Sequence, residues 1–153
     1  VTRWLDEREE TAWRGLLRMQ ARLHAELHRR LQADSGLSLA DFDVLVALTD
    51  RPDERCRAME LAGLLDWEKS RLSHHLARMQ KRGLVAREEC DDDGRGNYVV
   101  LTGAGRAAIE AAAPGHVETV RELVFDALSD DDVIALARIT AAVQARLDGR
   151  GAA

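Results

Sequence analysis

Residues 58–85 read AMELAGLLDWEKSRLSHHLARMQKRGLV, and they decide the fold. Met59, Leu61, Ala62, Leu64 and Leu65 describe a short helix over Ala58 to Leu64. Asp66 is placed to cap a second, basic helix over Trp67 to Arg82, and Gly83 to close its far end. Two runs short enough for strands follow, Leu84 to Cys90 and Tyr98 to Thr102. They are joined by Asp91-Asp92-Asp93-Gly94-Arg95-Gly96-Asn97, the chemistry of a hairpin loop. Helix, turn, basic helix and hairpin in that order predict a winged helix-turn-helix, in a chain that is mainly α with a minor β component.

Upstream, Leu16, Met19, Leu23, Leu27 and Leu31 recur at spacings of three and four, one apolar stripe on a helix running from about Trp4 to Gln32. Gly36 ends it. Ser38 caps the next helix with Asp41 three residues on, and residues 39–49 are apolar on more than one side, so this helix is expected to be central. Arg51-Pro52-Asp53 breaks it. Downstream, Thr102 caps an alanine-rich helix that continues through Val117, Val120, Val124 and Ala127, with a kink or a break expected at Pro114-Gly115. Ser129 caps a last helix with three acids in its first turn and Val133, Leu136, Ile139 or Thr140, Val143 and Leu147 along one face. The organisation expected is a single chain over residues 1–153, with a winged lobe at 38–102 flanked by helices at 1–36 and 103–150. A winged lobe buries its own core, so the apolar stripes of the flanking helices call for another surface. A homodimer supplies one and sets two basic helices on two DNA half-sites.

Charge points to the partner. The chain of 153 residues is net −5, yet the basic helix holds Lys69, Arg71, Arg78, Lys81 and Arg82 against Glu68 alone. Advancing 100° per residue, Leu72, Leu76 and Met79 share one face, expected to pack on Leu61, Leu64 and Leu84. Ser70, His74 and Lys81 lie opposite, flanked by Trp67, Arg71 and Arg78. With Lys69 these are donors that read base edges and bind phosphates of double-stranded DNA. Arg95, between two glycines, suits insertion into a narrow minor groove, and Asp93 is placed to orient it as a bidentate partner.

The runs Met59 to Ala62, Trp67 to Leu76, Arg82 to Val85, Asp93-Gly94-Arg95, Leu101-Thr102 and Gly105 resemble the multiple antibiotic resistance regulator (MarR) family across essentially the whole chain. The wing acid-x-Arg followed six residues later by Leu-Thr is the most specific element. The resemblance implies a homodimeric DNA-binding regulator, usually a repressor, released from a pseudo-palindromic operator by a small, often aromatic or phenolic effector. Trp13, Leu16, Met19, Phe42 and His116 are candidates to line its pocket.

Other classes find less support. No glycine-rich phosphate cradle follows a strand and no nucleophile stands with a base, so no enzyme is expected, and no cofactor. A winged helix serving protein contact needs no cationic helix. Cys56 and Cys90 suit reduced thiols in a cytoplasmic protein, and the acids around Cys90 work against thiolate formation. His24 and His28, four residues apart, lack a third ligand at a metal-site spacing, so no metal is assigned. Regulation of the same fold by metal or oxidation is the alternative these residues leave open. No apolar run is long enough for a membrane span.

Overall fold

The computed structural model describes residues 1–89 and 97–151, in two compact units, one of Val1–His116 and one from Val117 onward. The first begins with helix α1 (Glu7–Ser35), opened by an Asp6–Glu9 capping box and closed by Gly36 in the left-handed conformation at φ 73°. It starts later than the expected Trp4 because Asp6 satisfies the orphan amide groups of Arg8 and Glu9.

Helix α2 (Leu39–Thr49) starts at the expected box, in which Ser38 Oγ accepts from the Asp41 N–H and the Asp41 carboxylate accepts from the Ser38 N–H, both at 2.9 Å. Val44, Leu45 and Leu48 are wholly buried, which makes α2 the axle of the lobe. Helices α3 (Ala58–Leu65) and α4 (Lys69–Lys81) form the helix-turn-helix. Leu61, Leu72, Leu76, Met79 and Leu84 join the core as expected, but Leu64 stays 54% exposed.

Two local expectations are corrected. Asp66 does not cap the start of α4; it ends α3 in the left-handed conformation at φ 52°, and Glu68 stands at the α4 N-terminus without a side-chain cap bond. Asp tolerates that backbone region better than most residues, and the tight turn requires it. The sheet has three strands rather than two: Arg55–Arg57 forms β1, ahead of β2 (Val85–Glu89) and β3 (Asn97–Leu101), in the antiparallel order β1-β3-β2. Cys56 lies opposite Val99 and Val85 opposite Leu101, and all four point into the core. Cys90 and the tip from Asp91 to Gly96, with Asp93 and Arg95, lie outside the described residues.

Helix α5 (Gly103–Leu123) runs through Pro114 without a break. Its first turn is pinned to the α4–β2 corner. Thr102 Oγ1 donates to the Gly83 carbonyl at 2.5 Å and accepts from the Gly105 N–H at 3.0 Å. A Cβ on Gly105 would fall 2.1 Å from the Leu84 carbonyl oxygen and 2.9 Å from Leu101 Cδ1, so only glycine fits.

In the second unit, α5 ends before a short 3₁₀ turn (Phe125–Ala127). Helix α6 (Asp130–Gly151) then starts at the Ser129–Asp132 box, in which the Asp132 carboxylate accepts from the Ser129 N–H at 3.0 Å. Ile134, Ile139, Val143 and Leu147 on α6 are each more than half exposed.

Gly105→Ala is expected to lower stability by about 1–3 kcal/mol, since backbone must move to admit the methyl group. Urea denaturation followed by circular dichroism checks this, with Gly149→Ala, which has open space around it and should not destabilise, as the control.

Candidate nucleic-acid interface

Helix α4 carries a buried side and a solvent side. Lys69, Ser70, Arg71, His74, Arg78 and Lys81 are all exposed on it, and Trp67 is half-buried just before its first turn. The Arg71 guanidinium lies 4.2 Å from the centroid of the Trp67 ring, a cation–π contact that supports the arginine head group.

His75 parts company with its neighbour His74. Its ring is buried, edge-on to Trp67 with centroids 5.4 Å apart and planes at 89°. Arg78 Nη2 lies 3.2 Å from His75 Nδ1. On the far side, His75 Nε2 comes within 2.9 Å of Asp41 Oδ1, a close electrostatic contact that falls off the line of a hydrogen bond. Arg82 donates to Asp41 Oδ2 at 2.6 Å and to the Gly36 carbonyl at 3.1 Å. Burial alone would raise the Asp41 pKa. The His75 ring, the Ser38 N–H and the Arg82 guanidinium outweigh it and hold the carboxyl well below the usual carboxylate range.

Sequence spacing counts Arg82 among the cations of the helix, and the structure commits it to this clamp. The sheet adds a basic feature that sequence reading missed: Arg55 lies 3.9 Å over the Tyr98 ring and 3.6 Å from Glu88, with Arg57 5.3 Å from the same ring. The signal was the alternation Arg-Cys-Arg, exposed-buried-exposed, too short to register as a strand.

A cavity of about 430 Å³ opens beside α2, lined by Phe42, Asp43, Val46, Ala47, Asp50, Arg51, Leu64, Leu65 and His116. Phe42 and His116 therefore meet, their ring centroids 4.3 Å apart. Trp13, Leu16 and Met19 are not part of this lining; they stand 51%, 44% and 52% exposed along α1. Burial pushes the His116 pKa down against the pull of Asp43, which leaves a neutral ring at pH 7. Protein packed around the Asp43 carboxyl raises its pKa against the pull of His24, His116 and Arg71. Arg51, the cation of the lining, is paired with Glu60. His28 Nδ1 accepts from the Leu39 N–H at 3.2 Å, so one member of the His24/His28 pair works inside the fold. Among the described residues, no group of three side chains suits a metal ion, and no helix is long and apolar enough to cross a membrane.

Comparison with known proteins places these features in context. Residues 35–96 match the sequence model of the MarR family. The chain is similar in structure to AbsC, a MarR family transcriptional regulator from Streptomyces coelicolor, with a TM-score of 0.90 and 37% identity, covering 97% of this chain and 99% of that one. It is similarly close to Sco3205, a MarR family transcriptional regulator of the same organism solved in complex with DNA, at TM-score 0.90 and 38% identity, covering 94% of this chain and 90% of that one. Among curated sequences it is 31% identical to the HTH-type transcriptional repressor YetL of Bacillus subtilis over 100 residues, 65% of this chain and 59% of YetL.

Because Asp41 has a lowered pKa, its charge supports the fold above the ordinary carboxylate range, and that support fades as pH falls below about 4. Asp41→Asn is expected to cost about 3 kcal/mol at pH 7, as expected for breaking a buried pair. The deficit relative to wild type should shrink toward pH 3 in urea titrations at each pH.

Proposed function

The chain belongs to the MarR family of transcriptional regulators, and from that premise we propose that it is a sequence-specific repressor that binds a pseudo-palindromic operator as a homodimer. The family is one of regulators, not enzymes. The observation that carries the reading is the solvent face of α4: Lys69, Ser70, Arg71, His74, Arg78 and Lys81 stand exposed on one helix of an acidic chain, with Arg71 propped on Trp67. A helix of this kind fits the major groove, where Arg71 and His74 suit base edges and Lys69 and Lys81 suit phosphates. Arg95 extends the reading to the minor groove, with Asp93 as its orienting partner.

Dimerisation is supported by apolar side chains that each unit leaves in water. On α1 these are Trp13, Leu16, Leu17 and Met19, and on α6 Ile134, Ile139, Val143 and Leu147, all at least 44% exposed. Such faces on two long helices are what an intermolecular bundle covers. Effector release is supported by the α2 cavity, whose Phe42–His116 pair offers an aromatic wall with a neutral polar tip. Its two carboxylates, against a single arginine already paired, favour the neutral form of a phenol over an anion.

Two outcomes test this. Arg71→Ala is expected to cost about 1–3 kcal/mol on a selected site and to relax base preference, whereas Lys81→Ala weakens all duplexes alike and reduces the salt dependence. Fluorescence anisotropy at two salt concentrations reads both, and binding to random duplex that ignores salt would end the DNA reading. In sedimentation equilibrium at micromolar concentration the protein is expected to run at twice its chain mass of 17.0 kDa. Leu147→Glu should shift it toward the monomer and weaken DNA binding in parallel; a wild-type monomer would refute the dimer.

A further inference from the structure

Trp67, Arg71, His75 and Arg78 follow one another at spacings of four, four and three, the repeat that stacks side chains along one line of a helix. Only one of the four is buried, and it is His75. Its ring touches or supports every other member. The edge contact with Trp67 holds the indole on which Arg71 lies, and Nδ1 meets the Arg78 guanidinium. Arginine can only donate, so in that contact Nδ1 is the acceptor, while Nε2 faces Asp41. Asp41 is in turn fixed by the Ser38 N–H and by Arg82.

From this chain of contacts we propose that His75 is a positioning residue for base reading, holding Arg71 and Arg78 in the orientation in which they meet DNA. The proposal rests on the reading of α4 as the recognition helix. A free arginine carries considerable side-chain rotamer entropy, which a base contact must overcome. Each arginine ordered beforehand loses less on binding, and the gain falls on specific contacts because a phosphate accepts a guanidinium from many directions. His75 touches no DNA itself. It acts through two side chains that do, and its anchor on Asp41 refers both to the lobe core rather than to their own flexible stems.

A buried polar residue that merely fills the core would behave otherwise: its loss would lower stability and leave base preference intact. The two roles separate in a selection from a random-core duplex library, run with wild type, His75→Phe, His75→Gln, Arg78→Ala and the His75→Phe/Arg78→Ala double variant. Phenylalanine keeps a ring against Trp67 and removes both nitrogens; glutamine keeps an acceptor for Arg78. The wild-type consensus duplex then serves as the probe for anisotropy, beside a scrambled duplex. His75→Phe is expected to lose about tenfold on the consensus duplex, the scale of one base contact, and less than about twofold on the scrambled one. Its selected motif should blur at the base pairs that blur for Arg78→Ala, the double variant should be no worse than the weaker single, and His75→Gln should recover part of the loss. A His75→Phe motif identical to wild type, or losses that multiply in the double variant, overturns the proposal while leaving DNA binding in place. If His75→Phe does not fold, His75→Gln with and without Arg78→Ala is judged by the same motif and the same non-additivity. A wild type that enriches no sequence removes the recognition helix itself, and this inference with it.

Discussion

A carboxylate taken out of water has to be answered by protein, and Asp41 is the place where this chain meets that demand. Leaving it unanswered would cost several kcal/mol. The answer comes from three parts of the chain: the Ser38 amide at the start of its own helix, Arg82 at the far end of α4, and the His75 ring in the middle of α4. Apolar packing by Leu72, Leu76 and Met79 tells α4 which side faces inward, but the hydrophobic effect is non-directional and tolerates small shifts. A short charge-assisted bond does not. With Arg82 also bonded to the Gly36 carbonyl, the ends of α1, α2 and α4 meet at one point, and the solvent face of α4 inherits its orientation from there.

The cations of the lobe accordingly fall into two groups with different duties. Arg82 is spent on the clamp, and Arg87 on the Ser73 carbonyl, which ties β2 to the middle of α4. Lys69, Arg71 and Lys81 remain exposed, giving an acidic chain a local positive field whose position is set by the other group. The clamp and the cavity are neighbours along α2. Asp41, Phe42 and Asp43 are consecutive, the first facing α4 and the next two lining the cavity with His116. One turn of helix thus both borders the cavity and anchors the basic helix.

What could be read from the sequence was what depends on near neighbours in the chain. The Ser38–Asp41 box, the left-handed Gly36 and Gly83, the Ser129 box and the apolar faces of α2 and α4 are decided within a few residues, and they stand where their spacing puts them. The misplacements have the opposite character. An aspartate at a helix boundary serves equally to start one helix or to end another, and Asp66 ends α3 because the backbone of a tight turn requires it. Strand β1 is three residues long and exists because β3 offers it a ladder. Periodicity alone places Leu64 in the core, and in the fold it borders the cavity. For the site, exposure of the basic face was legible from the helical period. The buried partner of His75 was not, because Asp41 lies 34 positions earlier and no local pattern pairs them.

The separation of Asp41 from Arg82 also bears on how the chain is made. Synthesis delivers residues at about 5–20 per second and in one direction, so Asp41 is made before the arginine that pairs with it. Until then a compact arrangement around α2 has the Ser38 amide to answer the Asp41 carboxylate, without the guanidinium. The strands that complete the core, β2 and β3, follow Arg82 directly in the chain. Asp41 thus gains its arginine only when the last strands of the core are next in the chain.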